Sequence, residues 1–501
     1  MKRFLLLLFL SSFSGLFAQE VDLEALDRYL DNARMKHGIP GLAVAIVKDD
    51  SVIFAEGYGF QDVRSASAVS PQSLFAIASC TKAFTASAIG MLVDEGKVNW
   101  DDRVIDYLPW FELHDPYVTQ ELRVVDLLCH RSGLGTFDGD LLWYGTDYSM
   151  EEVVRRIREL PMDHGPRYQF GYQNIMYITA GLLIERVTGE SWQRFISQRL
   201  LKPLRMQHTT TGTDKIVGSL AADRALPHID GEVFPEIDYS NAAPTAGINS
   251  SVMDLSHWLR FWLNEGVFEG DTLISPATYR KLTQAHTLIG PGYLESQGNA
   301  HYKAYGLGWF LYDYAGTQVV EHGGGLPGYL SKVVWLPEEE MGFVILTNGM
   351  TSLYEAVKLY LLDQFMGQEE QDWAAVFQGY ETQSAKYKED TEKAFKEARV
   401  ADTQPSHELV DYVGTYTDPM YGDAEISLKD GILQFSLLPT AELFSGSMEH
   451  WHYDSFRIRV KDPFLPPGLL IFETNGKGEI SGFKIDLPNP DFHFSNLHFQ
   501  R

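Results

Sequence analysis

PQSLFAIASCTKAFTASAIGMLVDEG, residues 71 to 96, is the stretch that decides the fold. A loop-like start leads into helix-forming residues that end at a glycine, which predicts a helix opening near Ser79. Lys82 follows three residues later, so its ammonium lies on the same helix face as the Ser79 hydroxyl. A serine becomes nucleophilic beside a base and at the positive end of a helix. The S-x-x-K pattern therefore predicts a nucleophile, although an N-cap serine beside a solvated lysine fits the same residues.

A second motif lies in PRYQFGYQNIMYITAGLLIERVTG, residues 166 to 189, where a loop again leads into a helix. The phenol of Tyr172, placed near an ammonium, could lose its proton more easily and act as a base, or act as an acid toward a leaving group. Asn174 would supply an amide that orients Lys82 or a substrate carbonyl. The alternative is that Tyr172 is a packed aromatic residue whose hydroxyl is satisfied.

A third motif, EHGGGLPG at residues 321 to 328, follows the strand-like TQVV. Glycines at a strand end permit close backbone approach to a ligand, and exposed amides at Gly324 and Gly325 could bind a developing oxyanion. His322 is then a candidate catalytic auxiliary. A glycine-rich turn between two strands with a surface histidine is the alternative.

The order S-x-x-K, Y-x-N and H-x-G resembles the serine β-lactamase and penicillin-binding-protein superfamily, on its class C-like side. GIPGLAVAIVKDD, EGKVNWDDRVIDYLP, LLCHRSGL, GINSSVMDLSHWLRF and HGGGLPGYLSKVVWLPEEEMGFVILTN are also similar to segments of that family, and together the similarity covers residues 21 to 366. The resemblance implies a cofactor-independent enzyme.

The resemblance also assigns roles. Ser79 is acylated, Lys82 and Tyr172 share the proton transfers, and Asn174 positions the lysine and the substrate. The amides of Ser79 and Gly325 form the oxyanion hole. His322 departs from the pattern, because β-lactamases and transpeptidases usually carry there a lysine that helps to bind a substrate carboxylate. The H-x-G form is more typical of the esterase-like and aminopeptidase-like branches.

Strand signals flank a helical middle. GLAVAIV and SVIFAEGYG, from Gly41 to Gly59, predict two antiparallel strands joined at Lys48-Asp49-Asp50, and further strand patterns return between residues 305 and 347. Residues 83 to 263 are mostly helical in pattern. This segregation predicts an α+β fold. The resemblance implies a β-lactamase/transpeptidase-like antiparallel sheet flanked by helices, with a helical subdomain, over residues 19 to 367.

Two further segments follow the predicted sheet. Residues 368 to 405 are rich in Glu, Lys, Gln and Ala, which predicts a charged, solvated helical linker. Residues 406 to 501 alternate apolar and polar side chains around Lys-Asp-Gly and Asn-Gly turns. They predict a small, barrel-like all-β domain, similar to a domain of unknown role that often follows this kind of catalytic domain.

The formal net charge of −27 and the lack of a basic stripe exclude a nucleic-acid function. The first 18 residues have a basic start, an apolar run from Phe4 to Leu10, and then small and polar residues ending at Ala18. They predict a signal peptide and hence an exported protein, periplasmic or secreted. An ordinary apolar helix is the alternative. No later apolar stretch is long enough to span a bilayer, so we expect no stable membrane insertion.

Cysteine and histidine add two open questions. Cys80 and Cys129 could form one disulfide in an oxidising compartment, but spacing does not give their distance. His450 and His452 would share a strand face, as metal ligands can, yet no third ligand is evident, so we predict no metal site. His130 in LLCHRSGL is interpreted as a structural loop residue.

The motifs predict a serine hydrolase that forms an acyl-enzyme on small ester, amide or β-lactam-like substrates. A peptidase or carboxypeptidase acting on D-amino-acid-containing cell-wall peptides is the first alternative, and weak β-lactam hydrolysis is the second. A non-catalytic binding module that keeps the fold is the alternative from another class. The pattern carries no signal for an oligomeric state.

Overall fold

The computed structural model describes residues 21–216, 218–369 and 371–501. The predicted signal peptide, residues 1 to 18, lies outside the described residues. Within these ranges the chain forms an α+β domain, here called the N-terminal domain, and a closed all-β barrel, so the predicted fold class is confirmed. None of the helices in these ranges combines the length and apolar character needed to cross a membrane.

The elements are numbered in chain order. The strands of the N-terminal domain, β1 to β15, are Gly41–Lys48, Ser51–Asp62, Ser67–Ala68, Phe75–Ala76, His228–Ile229, Glu232–Val233, Asn249–Ser250, Val267–Phe268, Asp271–Thr272, Thr287–Ile289, Lys303–Tyr305, Phe310–Tyr314, Thr317–Leu326, Tyr329–Leu336 and Met341–Thr347. The helices α1 to α15 are Leu23–Lys36, Thr81–Asp94, Val104–Tyr107, Pro116–Glu121, Val124–Leu127, Met150–Arg156, Asn174–Thr188, Trp192–Ile196, Ser219–Ala222, Ala243–Ala246, Val252–Leu263, Pro276–Thr283, Tyr293–Gln297, Leu353–Phe365 and Trp373–Glu397. The barrel strands β16 to β23 are Gly414–Asp418, Gly422–Lys429, Ile432–Leu437, Ser445–His452, Ser455–Ile458, Gly468–Thr474, Ile480–Asp486 and His498–Gln500.

The main sheet joins the two ends of the N-terminal domain. Its nine strands run in the order β10-β11-β12-β13-β14-β15-β1-β2-β3. The early strand β1 pairs antiparallel with the late strand β15 along its length, from Leu42 opposite Thr347 to Lys48 opposite Met341. The helical insertion between β4 and β10 therefore leaves the sheet and returns to it, as the strand and helix patterns predicted.

Each face of this sheet is covered by helices. Val44 and Phe343 on one face share an apolar cluster with residues of α1 and α14. Ala45 and Val344 on the opposite face share the larger cluster with α2 and α11. The alternation of the two sets along β1 follows from the two-residue period of a strand. The resulting three layers hold α2, and the serine at its start, against the sheet.

Helix α15 lies within the predicted linker, but its first turns are not solvated. Trp373 is buried, and its indole N–H donates to Asp363 Oδ2 at 2.6 Å. The His37 ring at the end of α1 bonds the Ala374 carbonyl oxygen at 2.9 Å and Glu381 Oε2 at 3.0 Å. This segment is therefore part of the N-terminal domain's packing, and only its later turns are the solvated helix that the composition indicated.

The barrel is attached to the helical side of the N-terminal domain by hydrogen bonds from buried and half-buried side chains. The Tyr144 hydroxyl donates to Asp462 Oδ2 at 2.8 Å, and the Tyr148 hydroxyl donates to the Tyr421 carbonyl oxygen at 2.6 Å. Arg156 Nη1 donates to the carbonyl oxygen of Met420 at 3.0 Å. Buried hydrogen bonds of this kind hold the barrel in one orientation.

Two helical glycines give opposite predictions for the same substitution. A Cβ at Gly181 in α7 would overlap the ring of Pro244, whereas one at the exposed Gly379 in α15 would meet nothing within 4 Å. Gly379→Ala should raise the free energy of unfolding by roughly 0.5–1 kcal/mol because it reduces backbone entropy in the unfolded chain. Gly181→Ala should lower it by about 1–3 kcal/mol through overpacking. Denaturant unfolding followed by circular dichroism measures both, and equal signs would contradict the packing described here.

Candidate active site

Ser79 lies in a 3-10 turn, Ala78–Cys80, directly before α2. Ala78 has a φ of 46°, in the left-handed region that non-glycine residues rarely adopt. Ile77 before this turn and Cys80 at its end are buried. Ser79 between them is half-buried and borders a cavity. The turn therefore presents the Ser79 hydroxyl at the N-terminal end of α2, where the helix dipole favours negative charge.

The Lys82 amine is enclosed by oxygen atoms. Its Nζ lies 3.0 Å from Ser79 Oγ, 2.7 Å from Asn174 Oδ1 and 3.3 Å from the Thr245 carbonyl oxygen. Lys82 is fully buried and no carboxylate among the described residues forms an ion pair with it. Burial lowers the pKa of Lys82 to about 7, against an opposing effect of the Asp140 charge. The S-x-x-K pair is thus in contact, with an amine that can lose its proton near neutral pH.

Asp140 fixes the amide of Asn174. Asn174 Nδ2 donates to Asp140 Oδ2 at 2.6 Å, while its Oδ1 accepts from Lys82 and, at 2.8 Å, from the Thr245 hydroxyl. Trp143 Nε1 donates to the other Asp140 oxygen at 2.9 Å. Burial raises the pKa of Asp140 to about 7. Because the carboxylate accepts from the amide nitrogen, the amide oxygen must face Lys82.

Tyr172 packs its ring beside the lysine. Lys82 Nζ lies 4.9 Å from the ring centroid, and the Tyr172 hydroxyl is close enough to Ser79 for that contact to affect its pKa. Burial raises the pKa of Tyr172 above its usual range, although the Ser79 contact opposes this. The phenol therefore keeps its proton, which differs from the expectation that a nearby ammonium would make it easier to ionise. Desolvation is the largest cause, and the charges of Cys80 and Asp140 act in the same direction.

His130 supports Tyr172, as its interpretation as a structural residue predicted. Its ring lies 4.1 Å from the Tyr172 ring, and its Nδ1 accepts the Gln173 backbone N–H at 2.9 Å. Its own φ is 57°, and the residue is fully buried. His130 therefore sets the position of the loop that carries Tyr172.

The H-x-G triplet lies within β13 rather than in a turn after it. Strand β12 pairs with β13 only as far as Glu321, so residues 322 to 326 have a strand partner on the β14 side alone. A Cβ at Gly324 would lie 2.9 Å from the Ser79 nitrogen and would overlap the Ile77 carbonyl oxygen. Only glycine permits this approach, which brings the free edge at Gly324 and Gly325 beside the serine.

His322 is turned toward the core. Its Nδ1 donates to the Gly323 carbonyl oxygen at 2.6 Å, so in the neutral ring Nε2 accepts from the Tyr305 hydroxyl at 2.9 Å. Burial, helped by the Lys82 charge, lowers the pKa of His322 to about 3. The ring is neutral at pH 7 and cannot replace the lysine of the related pattern as a cation for a carboxylate.

These groups border one cavity of about 610 Å³, a volume typical of small-molecule sites. Ser79, Tyr172, Asn174, His322, Gly324 and Gly325 all line it. The predicted site residues are therefore brought together in one place, with Lys82 directly behind Ser79. The wall also contains residues that no motif indicated: Asp140, Trp143, Phe310 and, from the barrel, Phe464, Asp491 and Phe492.

The remaining sequence candidates lie elsewhere. Cys80 and Cys129 are buried free thiols, so they form no disulfide in this structure. His450 Nε2 bonds the Tyr453 carbonyl oxygen at 2.9 Å, and His452 Nδ1 accepts the Val400 N–H at 3.4 Å. In the part of the chain that the structure describes, no cluster of three or more metal-ligating side chains occurs.

An antiparallel sheet flanked by helices, with a buried lysine behind a serine at a helix start, defines a penicillin-binding-protein-like hydrolase fold. The chain belongs to the Beta-lactamase family, whose model matches residues 26–365. Residues 398–501 match a domain of unknown function, DUF3471.

Two relatives extend over most of the chain. The Unguisins hydrolase ungD of Aspergillus violaceofuscus is 29% identical over 424 residues, which cover 78% of this chain and 74% of that protein. Protein flp of Staphylococcus aureus strain N315 is 30% identical over 332 residues, which cover 65% of this chain and 63% of its own length.

Two solved structures share the fold. The octameric penicillin-binding protein homologue from Pyrococcus abyssi superposes with a TM-score of 0.61 at 20% identity, over 96% of this chain and all of that one (100%). The D-amino acid amidase from Ochrobactrum anthropi SV3, complexed with L-phenylalanine amide, has a TM-score of 0.58 at 21% identity, over 69% of this chain and 97% of its own. At these identities the likeness shows the fold alone.

The Asp140 charge predicts the direction of a pH shift. Because that charge raises the pKa of Lys82, Asp140→Asn should lower it and move the pH midpoint of Ser79 labelling by a fluorophosphonate to lower pH. The exposed Asp147→Asn on the same segment is the matched control and should leave the midpoint unchanged. A midpoint for Asp140→Asn that stays in place or moves to higher pH would contradict the proposed coupling.

Proposed function

We propose that the protein is a serine hydrolase that acts through an acyl-enzyme on ester or amide bonds, with Ser79 as the nucleophile. The observation that carries the proposal is the buried Lys82 amine, 3.0 Å from Ser79 Oγ and with a pKa of about 7. A lysine held in this way is a base at neutral pH, which an exposed lysine is not.

The first step is removal of the Ser79 proton by neutral Lys82. A neutral amine has two N–H donors and one lone pair. The oxygens of Asn174 and Thr245 accept the two donors, so the lone pair is directed at the Ser79 hydroxyl. Ser79 Oγ then attacks the substrate carbonyl carbon as its proton passes to Lys82.

The negative charge that develops on the carbonyl oxygen needs nearby donors. The N-terminal end of α2 at Ser79 and the free edge of β13 at Gly325 face the cavity together, and their backbone amides are the donors we assign. As the tetrahedral intermediate collapses, Tyr172 gives its proton to the leaving group and regains one from the Lys82 ammonium. Water then attacks the acyl-enzyme by the reverse sequence. All groups in this scheme are side chains or amides of the chain itself.

The proposal also concerns which type of bond in the substrate is hydrolysed. Hydrolysis is supported by the relative that is named a hydrolase, and an amide substrate by the structural neighbour that is named a D-amino acid amidase. A D-amino-acid peptidase or carboxypeptidase acting on cell-wall peptides is therefore the second candidate. Weak β-lactam hydrolysis has less support, because the neutral His322 supplies no charge for a β-lactam carboxylate. A non-catalytic binding module has the least, because the nucleophile and both proton-transfer groups are assembled.

We also propose export to the periplasm or the cell exterior. Its support is the pattern of the first 18 residues, with two basic residues, an apolar run and a small residue at Ala18.

Ser79→Ala tests the nucleophile. Incubation of the wild type with a fluorophosphonate should add one adduct by intact-mass spectrometry, and Ser79→Ala should remove it because the probe bonds only an activated serine. Ser87→Ala removes a buried hydroxyl about two turns further along α2. This hydroxyl donates to the Ala83 carbonyl oxygen, and its removal should leave labelling intact. A folded wild type that stays unlabelled would falsify the active-hydrolase proposal.

Tyr172→Phe tests the acid. An amide nitrogen needs a proton to leave, whereas p-nitrophenolate does not, so the variant should lose about 10²–10⁴-fold in rate on an anilide and much less on a p-nitrophenyl ester. The measured quantity is kcat/KM for two substrates, an anilide and a p-nitrophenyl ester, that carry the same acyl group and differ only in the leaving group. Equal losses on the two substrates would show that Tyr172 does not deliver the proton to the leaving group.

A further inference from the structure

The barrel supplies part of the wall of the catalytic cavity. Phe464, Asp491 and Phe492 border the same cavity as Ser79. Asp491 and Phe492 belong to the connection between β22 and β23, which leaves the barrel and reaches the N-terminal domain. A substrate bound at Ser79 therefore meets side chains from both domains.

This connection is held in a defined position. His493 Nδ1 bonds Asp138 Oδ1 at 2.9 Å, and Asn496 Nδ2 donates to the same oxygen at 3.4 Å. Within the connection, the backbone N–H groups of Asp491 and Phe492 donate to Asn489 Oδ1 at 2.8 and 3.0 Å. An Asx turn of this kind fixes the local backbone. The bonds to Asp138 fix the connection against the N-terminal domain. The β22–β23 connection thus holds Asp491 in a defined position at the cavity wall.

Most charged residues that line the cavity already have partners. Glu295 pairs with Lys303 at 2.5 Å. Two glutamates and two lysines form a closed set of ion pairs at 2.6 to 3.5 Å, namely Glu321, Glu355, Lys332 and Lys358. Asp140 accepts from Asn174 and Trp143.

Asp491 is the exception. Among the described residues, none forms a hydrogen bond or ion pair with its carboxylate. His493, whose charge lowers the pKa of Asp491, is bonded to Asp138. Burial raises the pKa of Asp491, and its charge in turn raises the pKa of Asp140. Asp491 and Asp140 line the same cavity as Ser79. The half-buried Asp491 carboxylate is therefore available to pair with a cationic group of a ligand in the cavity.

The surroundings suit an organic cation. The Phe492 ring lies 4.3 Å from the Tyr144 ring and 6.4 Å from the Trp143 ring, and Phe464 lies 6.5 Å from Phe492. Aromatic faces beside a carboxylate favour an ammonium group attached to an apolar body. The net charge of −27 favours the approach of cationic substrates over anionic ones.

We propose that Asp491 is a specificity-determining residue, and that this hydrolase prefers substrates with a primary ammonium group close to the scissile bond. The inference rests on the proposed function, because it concerns the cavity of Ser79. The barrel domain then has a role in catalysis: it brings the carboxylate that selects the substrate.

The test compares matched substrates that differ in one charge. One pair is an amino acid p-nitroanilide with a free α-amine and its N-acetyl derivative, and the other is 4-(aminomethyl)phenyl acetate and 4-methylphenyl acetate. In at least one pair, Asp491→Asn should lower kcat/KM for the amine substrate about tenfold, because one charge-assisted contact is lost. The kcat/KM of the neutral substrate in that pair should change by no more than about twofold. Asp486→Asn, an exposed carboxylate on β22, is the matched control and should change neither.

The outcomes separate the two proposals. If the neutral ester is hydrolysed in a Ser79-dependent way but Asp491→Asn affects amine and neutral substrates equally, the specificity proposal is wrong and the hydrolase stands. If no substrate in the panel turns over, a binding test replaces the kinetics. Benzylamine should slow fluorophosphonate labelling of Ser79 in the wild type but not in Asp491→Asn. Benzyl alcohol is the neutral control. Equal protection of both proteins, or of neither, overturns the specificity proposal. A wild type that is never labelled contradicts both.

Discussion

Enclosure of one lysine amine among neutral oxygens is the constraint on which the site depends. Lys82 loses its water on burial, and two carbonyl-type oxygens compensate for part of that loss without supplying a negative charge in contact with it. A carboxylate in direct contact would stabilise the ammonium and remove the base. Asp140 instead acts through Asn174, one side chain away, and so keeps the amide oriented while leaving the pKa of Lys82 near 7.

This enclosure exists because of how the chain is arranged in space. Asn174 begins α7, Thr245 lies in α10, and Lys82 lies in α2, and the packing of these three helices brings their atoms within hydrogen-bond distance. The sheet, joined through β1 and β15, holds α2 from one side, and the glycine at 324 lets the free edge of β13 approach Ser79. The Beta-lactamase fold thus brings together, from separate segments, the groups to which we assign the roles of base, acid and oxyanion site.

The barrel completes this arrangement rather than standing apart from it. Hydrogen bonds from Tyr144, Tyr148 and Arg156 attach it to the helical side, and the β22–β23 connection reaches the cavity. Its fixed orientation explains how a C-terminal domain can contribute Asp491 to the cavity that Ser79 borders. A domain appended in this manner changes the substrate pocket without altering the machinery for acyl transfer.

Sequence alone determined the α+β class, the C-terminal barrel and the residues of three motifs, because strand alternation, helix ends and the Ser79–Lys82 spacing are local properties of the chain. It placed the glycine triplet after the strand TQVV, whereas the triplet lies inside β13, and it left open whether Tyr172 acts as a base or as an acid. Only the tertiary structure decided the protonation of Lys82 and Tyr172, the inward turn of His322, and the parts played by Asp140 and Asp491. Those properties arise from burial and from contacts between segments far apart in the chain, and no short-range pattern encodes them.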